Sequence, residues 1–192
     1  KMFAASFDRM YGGFGAAPKF PVPHNLMFLT LYAEQNRDPH ALEMVEKTLA
    51  QMQRGGIFDH IGYGFSRYST DKYFLAPHFE KMLYDNAMLI MAYASAGSVT
   101  KKQCFLDTAE KTAQYIFREM TAPGGGFYSA QDADSEGVEG KYYTFTLAEI
   151  MEVLGKEKGT RFAEVFDITQ DGNFEGVNIP NLIKWNKPEP DF

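Results

Sequence analysis

Two polar segments of the sequence carry residue types that acid–base chemistry uses. The first covers residues 65–69 and 77–87, and it contains Arg67, His78 and Glu80. Because an unperturbed histidine titrates near neutral pH, His78 is a candidate general acid or base. Glu80 lies in the first turn of the same predicted helix but points away from the face of His78, and the helix macrodipole alone could explain its carboxylate. An arginine among aromatic residues can clamp a carboxylate or a sugar acid. The segment therefore predicts a ligand site with a titratable centre.

The second segment covers residues 125–140 and contains Asp132 and Asp134. Its acids and following glycine are spaced like the start of a calcium loop, but Tyr143 stands where such a loop needs a bidentate Glu. We therefore predict no metal site. Two carboxylates can instead act as acid and base in glycoside chemistry. Equally, both side chains can make turns by accepting hydrogen bonds from backbone N–H groups, and the sequence leaves these alternatives open.

The candidate site residues come from both segments. The catalytic candidates are His78, Glu80, Asp132 and Asp134, and the substrate-binding candidates are Arg67, Tyr68, Asp85, Asn86, Phe127 and Gln131. No cofactor is predicted, since no phosphate-binding glycine motif occurs. The alternative for each residue is an ordinary structural role. His78 can be a structural hydrogen-bonder, and Arg67 can pair with Asp71.

Glycine-rich loops divide the chain into helix-patterned segments. They occur at residues 12–15, 55–59 and 124–128, each with an aromatic or aliphatic residue after the glycines. Recurrence of this kind is typical of a repeat architecture. We expect mainly α structure, namely about three stacked helical hairpins with short β-hairpins in the connecting loops. Loops that follow corresponding helices should emerge at one end, which would bring the two polar segments to a shared rim.

Several element boundaries can be predicted from local signals. Asp38 and Pro39 predict a helix start, followed by an apolar stripe of Leu42, Val45, Leu49 and Met52. Gly55 should end that helix in the left-handed conformation. Pro77 should begin a third helix, and Thr100 and Thr146 should each begin another through a capping box.

Two β-hairpins and an irregular tail complete the prediction. Residues 65–69 should pair with 72–75, and residues 127–130 should pair with 141–145. The tail from residue 167 to 192 should be loop-like, with prolines at Pro180, Pro188 and Pro190.

Composition excludes several classes of protein. The 192 residues carry a net charge of −6, which argues against nucleic-acid binding. The lone Cys104 excludes an internal disulfide and a cysteine-built zinc site. No apolar run approaches the ~20 residues of a membrane span, and no signal peptide is visible, so we expect a cytoplasmic protein. The start at Lys1-Met2 suggests an excised piece.

The longer motifs closely resemble the YyaL/spermatogenesis-associated protein 20 family. The resemblance rests on residues 56–87 and 125–140, with further matches at residues 17–21 and 172–176. It implies an (α/α)6 toroid related to six-hairpin glycosidases and N-acylglucosamine 2-epimerases, joined to a thioredoxin-like domain. That second domain is absent here, so residues 1–192 look like one domain, about half of the toroid.

The resemblance implies two classes of function. The first is a carbohydrate-active domain, a sugar epimerase or glycoside hydrolase by architecture, that takes a saccharide or another small ligand. The second is a non-catalytic scaffold or interaction module that supports the thioredoxin-like domain. Convergence of the candidate residues in one concave site would favour the first.

Overall fold

In the computed structural model, residues 2–187 are described, and most of them are helical or lie in long connecting loops. The helices, in chain order, are α1 (Met2–Ser6), α2 (Pro23–Asn36), α3 (Pro39–Arg54), α4 (Leu83–Thr100), α5 (Gln103–Glu119) and α6 (Leu147–Val165), with a 3-10 turn at Lys141–Tyr143. Six short strands lie in the connections, namely β1 (Tyr68–Ser69), β2 (Pro77–His78), β3 (Lys81–Met82), β4 (Ala130–Gln131), β5 (Asp134–Ser135) and β6 (Val138–Glu139).

Helices α2 to α5 form two neighbouring hairpins. Helix α2 packs against both α3 and α4, and α4 packs against α5. The side chains that fill the space between them are fully buried, and they include Leu26, Leu49, Leu89 and Tyr93. The Tyr93 hydroxyl donates to the Leu49 carbonyl at 2.8 Å, which ties α4 to α3. The prediction of a mainly α fold built from helical hairpins is confirmed.

Local signals predicted α3 and the start of α6 correctly. The Asp38 carboxylate accepts hydrogen bonds from the N–H groups of His40 and Ala41. Thr146 and Glu149 form the capping box that begins α6. At Gly155 the backbone leaves the helical conformation, with φ of 73°, so α6 consists of two segments.

The N-terminal boundary of α4 was predicted wrongly. Pro77 does not begin a helix, because residues 77–82 are held extended by strand pairing and α4 begins only at Leu83. Strand β2 pairs with β1 in the register Tyr68↔His78, which replaces the expected pairing with residues 72–75. Proline is tolerated in this strand because its partner does not need the missing N–H.

The second loop also pairs differently from the prediction. Strand β4 pairs with β3 in the register Lys81↔Gln131, and β5 pairs with β6 in the register Asp134↔Glu139. Residues 141–145 do not pair with 127–130; Phe145 instead exchanges both backbone hydrogen bonds with Asn178. The loop between α5 and α6 is therefore anchored at the N-terminal end of α4.

Gly55 ends α3 as predicted, but its predicted left-handed conformation was wrong, and so was the predicted helix start at Thr100. Gly55 has an extended backbone with φ of −75°. Glycine is needed there because an added Cβ would lie 2.1 Å from the Phe74 carbonyl oxygen. Thr100 is the last residue of α4, and α5 begins at Gln103 after Lys102, whose side chain makes no capping hydrogen bond. The tail is irregular as predicted from residue 167 to 187, and Pro188 and Pro190 lie outside the described residues.

Candidate functional site

The extended segment 77–82 places side chains alternately on two sides, as a strand does. Phe79 and Lys81 point into the core and are 3 % and 1 % exposed. His78 and Glu80 point the other way, and about 30 % of each side chain is exposed. This alternation, fixed by pairing with β1 and β4, gives the candidate site a rigid base.

Four charged or titratable side chains form a continuous chain of contacts on the exposed side. Arg67 Nη1 lies 3.2 Å from Glu80 Oε2, and His78 Nε2 lies 3.8 Å from the same oxygen. His78 Nδ1 lies 2.7 Å from Glu139 Oε1. The Phe79 backbone N–H also donates to Glu139 Oε1, at 3.4 Å. The order along the chain is thus Arg67, Glu80, His78, Glu139.

The pairing with Glu139 determines which ring nitrogen of His78 carries its proton in the neutral form. An ionised carboxylate can only accept hydrogen bonds, so Nδ1 is the donor to Glu139. In the neutral imidazole Nε2 then has a free lone pair. At 3.8 Å, Glu80 is too distant to hydrogen-bond that nitrogen directly. The arrangement leaves Nε2 able to exchange a proton with a bound molecule, while Glu139 fixes the orientation of the ring.

Asp85, in the first turn of α4, lies next to this chain of contacts. Burial raises the pKa of Asp85 to about 6, although Arg67 and Tyr84 oppose the shift. Tyr84 and Glu80 raise the pKa of Arg67, which stays charged. The Arg67 Nε is buried without a hydrogen-bond partner among residues 2–187. An N–H group of this kind is costly to leave unsatisfied.

Aromatic rings form one wall of the cluster. Tyr68 stacks on Phe20 with ring centroids 4.8 Å apart and on His78 with centroids 5.3 Å apart. The Phe20 segment is held in place because Lys19 and Ser69 exchange two backbone hydrogen bonds of 2.8 Å. Phe20 and Tyr84 are about half exposed. Exposed aromatic faces beside polar groups are the surfaces on which sugar rings and other flat ligands pack.

The acids of the second loop occupy different positions relative to this cluster. Asp134 is directly opposite Glu139 in the β5–β6 pair, so both side chains lie on the same face of that ribbon. Asp132 makes a turn, because its Oδ1 accepts the Asp134 N–H at 3.1 Å. Both aspartates are exposed. Asp134 therefore comes close to the site through Glu139, whereas Asp132 shapes the loop.

Three other sequence candidates lie in different surroundings. The buried Asn86 side chain bonds both backbone groups of Phe65, at 2.7 and 2.9 Å. Gln131 accepts a hydrogen bond from the Tyr115 hydroxyl at 2.7 Å. Phe127 packs near Phe117 of α5, with ring centroids 6.3 Å apart. These residues brace the loops around the cluster, and none of their recorded contacts involves His78 or Glu80.

The sequence candidates omitted three residues that the structure brings to the cluster. Glu139 bonds His78, Phe20 extends the aromatic stack, and Tyr84 lies beside Arg67. All three fall inside the motifs that carried the family resemblance. The signal for Glu139 was its place just before Gly140, in a loop already singled out for its acids.

On the buried side of the same strand, Lys81 forms a packed polar core. Its Nζ lies 2.8 Å from Asp59 Oδ2 and 2.8 Å from the Tyr63 carbonyl oxygen. The rings of Tyr115 and Tyr143 face the ammonium group at 4.5 and 4.7 Å. Burial lowers the pKa of Lys81, with Asp59 opposing the shift. This group supports the site strand from behind.

A cavity of about 290 Å³ lies behind the strand as well. Its walls include Phe58, His60, Phe79, Tyr143 and Ile179. Because Phe79 points away from His78 and Glu80, this cavity is separate from the exposed cluster. Within residues 2–187, no three His, Cys, Asp or Glu side chains converge in a way that would hold a metal ion. No helix in that range is both long enough and apolar enough to cross a membrane.

Comparison with known proteins identifies relatives of the whole chain. Human spermatogenesis-associated protein 20 is 44 % identical over 193 residues, an alignment that covers 91 % of this chain and 25 % of the human protein. The mouse protein of the same name is 38 % identical over 194 residues, with the same shares covered. The chain thus spans about a quarter of these relatives. No family model matches it.

Comparison of structures identifies the architecture. A sugar epimerase from a ruminal bacterium superimposes with a TM-score of 0.61 at 16 % identity, over 86 % of this chain and 51 % of the epimerase. The cellobiose 2-epimerase from Spirochaeta thermophila superimposes with a TM-score of 0.60 at 22 % identity, over 68 % of this chain and 35 % of that enzyme. The fold is therefore that of α/α toroids, as the sequence predicted.

Proposed function

We propose that this chain, which belongs to the spermatogenesis-associated protein 20 family and spans about a quarter of the human member, forms one side of a saccharide-binding cleft in an α/α toroid. The reaction we propose is epimerisation of a sugar carbon that lies next to a carbonyl group. The observation that carries the proposal is the contact chain of Arg67, Glu80, His78 and Glu139, with an aromatic stack beside it. A sugar epimerase and a cellobiose 2-epimerase have the same fold, which supports the choice of this reaction.

The proposed chemistry assigns a role to each member of the contact chain. His78 Nε2 accepts the proton of the C–H bond next to the sugar carbonyl, and Glu139 stabilises the imidazolium that forms. The electron pair of that bond forms a carbon–carbon double bond, and the carbonyl oxygen becomes negatively charged. Arg67 stabilises this oxyanion, with Glu80 holding the guanidinium in place. A water molecule on the opposite face of the carbon donates a proton there, which gives the epimer, and the hydroxide that remains takes up the proton that His78 Nε2 releases.

We also propose that these residues are about half of a ring of helical hairpins. The sugar epimerase is about twice as long as the part that this chain matches. Large apolar side chains on α2 and α4 are exposed, namely Phe28, Leu31, Tyr32 and Met91. Hairpins of a closed ring would cover them, because repeat units bury their apolar faces only against neighbours. Residues 1–192 alone should therefore self-associate or unfold easily, which sedimentation and thermal melting would measure.

Hydrogen exchange in D2O tests the proposed reaction without requiring a known product. The full-length protein is incubated with a panel of reducing mono- and disaccharides, and deuterium at the carbon next to the carbonyl is followed by NMR. We expect exchange with at least one sugar, and His78→Asn should slow it by about 100-fold or more. His40→Asn is the matched control, because His40 lies on the exposed surface beside Glu43.

Two outcomes would contradict the proposal. If the wild-type protein neither binds nor exchanges any sugar of the panel, the enzymatic function is rejected. The supporting role toward a thioredoxin-like domain, which the family resemblance implied, would then be the better proposal. If His78→Asn exchanges as fast as wild type, the site is not the cluster described here.

A further inference from the structure

We propose that the cleft selects saccharides by charge: it binds an amino sugar in preference to a neutral sugar and excludes sugar acids and sugar phosphates. This inference rests on the proposed saccharide site and names its substrate class. The relevant observation is the imbalance of charge around His78. The carboxylates of Glu80 and Glu139 lie on either side of His78, Asp85 lies beside Arg67 and Glu80, and Asp134 lies opposite Glu139.

Arg67 does not offset this imbalance. Its guanidinium is already paired with Glu80 at 3.2 Å. Among residues 2–187, no lysine forms an ion pair with Glu80, Asp85, Asp134 or Glu139 within 4.0 Å. A ligand carboxylate or phosphate would therefore meet an Arg67–Glu80 pair that has no net charge, together with the carboxylates of Asp85, Asp134 and Glu139. The N–H groups of Arg67 can still donate hydrogen bonds to an oxygen that becomes negative during the reaction. The sequence suggested that Arg67 binds a sugar acid, and the observed pairing with Glu80 argues against that role.

Asp134 and Glu139 provide a second, independent argument. Like charges placed directly opposite each other on two antiparallel strands destabilise the pair. A positive group between them would convert this repulsion into attraction on both sides. Glu139 is suited to bind such a group, because His78 and the Phe79 N–H both use its Oε1, and neither uses Oε2.

The aromatic stack and the acidic pair would hold different parts of the same molecule. The exposed ring of Phe20, stacked on Tyr68, offers an apolar face for the sugar ring. Glu139 adjoins His78, which itself stacks on Tyr68. An ammonium group near Glu139 therefore lies close to the carbon on which His78 would act.

Binding measurements with three matched sugars test this inference. Glucosamine, glucose and glucuronate are titrated into the full-length protein at pH 7, at low and at high NaCl concentration. Coulomb attraction to a partly solvated carboxylate predicts a dissociation constant about 5- to 20-fold lower for glucosamine than for glucose, and a similar factor in the other direction for glucuronate. About 1 M NaCl should abolish most of both differences, because salt screens solvent-exposed charges.

Variants assign the preference to particular residues. Asp134→Asn and Glu139→Gln should each reduce the ratio between glucosamine and glucose severalfold. Glu157→Gln is the matched control, because Glu157 is exposed on α6, and it should leave the ratio unchanged. The ratio of the two dissociation constants is informative even where a variant weakens the binding of both sugars, because a general loss of affinity cancels in the ratio.

The possible failures are distinguishable. If no sugar of any charge binds, the proposed function fails and this inference fails with it. If glucuronate binds as tightly as glucose, or if glucosamine has no advantage at low salt, the charge selection is wrong and the saccharide site stands.

Discussion

Lys81 Nζ lies 2.8 Å from Asp59 Oδ2, and the two side chains are 2 % and 13 % exposed. This ion pair lies directly behind the strand that presents His78 and Glu80. Asp59 also accepts the backbone N–H groups of Ile61 and Gly62, so the pair joins the loop after α3 to the start of α4. Together with the strand pairing, this buried ion pair therefore holds the candidate site in place relative to the core.

Replacing Lys81 by methionine should lower the free energy of unfolding by about 3–5 kcal/mol, because the Asp59 charge stays buried without its partner. Chemical denaturation measures the loss. Adding Asp59→Asn to Lys81→Met should recover part of it, because the amide keeps an acceptor for the backbone but carries no charge. Lys158→Met, on an exposed part of α6, is the control and should change stability by less than about 0.5 kcal/mol. Equal losses for both lysines would contradict the structural role of Lys81.

Gly64→Ala should be destabilising by at least about 2 kcal/mol. Gly64 has φ of +78°, and an added Cβ would lie 2.4 Å from Cδ1 of the buried Tyr115 ring. Gly124→Ala is the comparison, because its Cβ would meet no atom within 4 Å. Thermal melts of the two variants should therefore differ clearly; similar melting temperatures would show that the loop after α3 does not contact α5 as described.

Asp85→Asn should stabilise the protein at pH 7. Burial raises the pKa of Asp85 to about 6 from 3.8, so the folded protein binds this proton more tightly than the unfolded chain. The stabilisation that comes from this tighter proton binding is fully present below pH 4 and is lost as the pH rises through 6. The variant should therefore gain on the order of 1–3 kcal/mol at pH 7 and nothing at pH 3. Asp171→Asn, at an exposed position, is the control. A loss of stability at pH 7 would overturn the argument from burial.

His60 should produce a pH dependence of the opposite sign. Burial lowers the pKa of His60 to about 4 from 6.5. The unfolded chain therefore binds this proton first on acidification, and stability falls as the pH drops from 6.5 to 4. His60→Gln retains a donor for the Gly55 carbonyl, 3.1 Å from His60 Nε2, and should remove this part of the pH dependence. His40→Gln should leave it intact. Melting temperatures of the wild type and both variants between pH 4 and 6.5 measure this dependence. An unchanged pH dependence in His60→Gln would contradict the prediction.

Local sequence signals were sufficient for the elements whose contacts are local. The side-chain cap at Asp38, the box at Thr146 and Glu149 and the buried stripe Val45, Leu49 and Met52 each depend on residues within one or a few helical turns. The start of α4 depends on distant residues, because β3 pairs with β4 on the far side of two helices. No local pattern near Pro77 contains that information, so its helix-initiating preference was misleading.

The candidate site follows the same distinction. Arg67, His78 and Glu80 come from neighbouring segments, and the sequence predicted a shared rim for them. The predicted helix would have placed Glu80 on another face than His78, and the two side chains lie on one side only because residues 77–82 are extended. Glu139 lies 61 residues from His78 and reaches it only through the β5–β6 ribbon. The spacing of Asp132 and Asp134 drew attention to this loop, but it gave no indication that the carboxylate nearest His78 would be Glu139.

The strict alternation of buried and partly exposed side chains within residues 77–82 limits which changes of sequence this segment can tolerate. Phe79 and Lys81 are buried and stabilise the core, while His78 and Glu80 are partly exposed on the side of the proposed cleft. Inserting or deleting a single residue here would exchange the two sets, placing charged groups in the core and a phenyl ring in the cleft. A change of length in this short stretch should therefore be more damaging than replacement of His78 or Glu80, and substitution at these alternate positions can change the proposed site without disturbing the core.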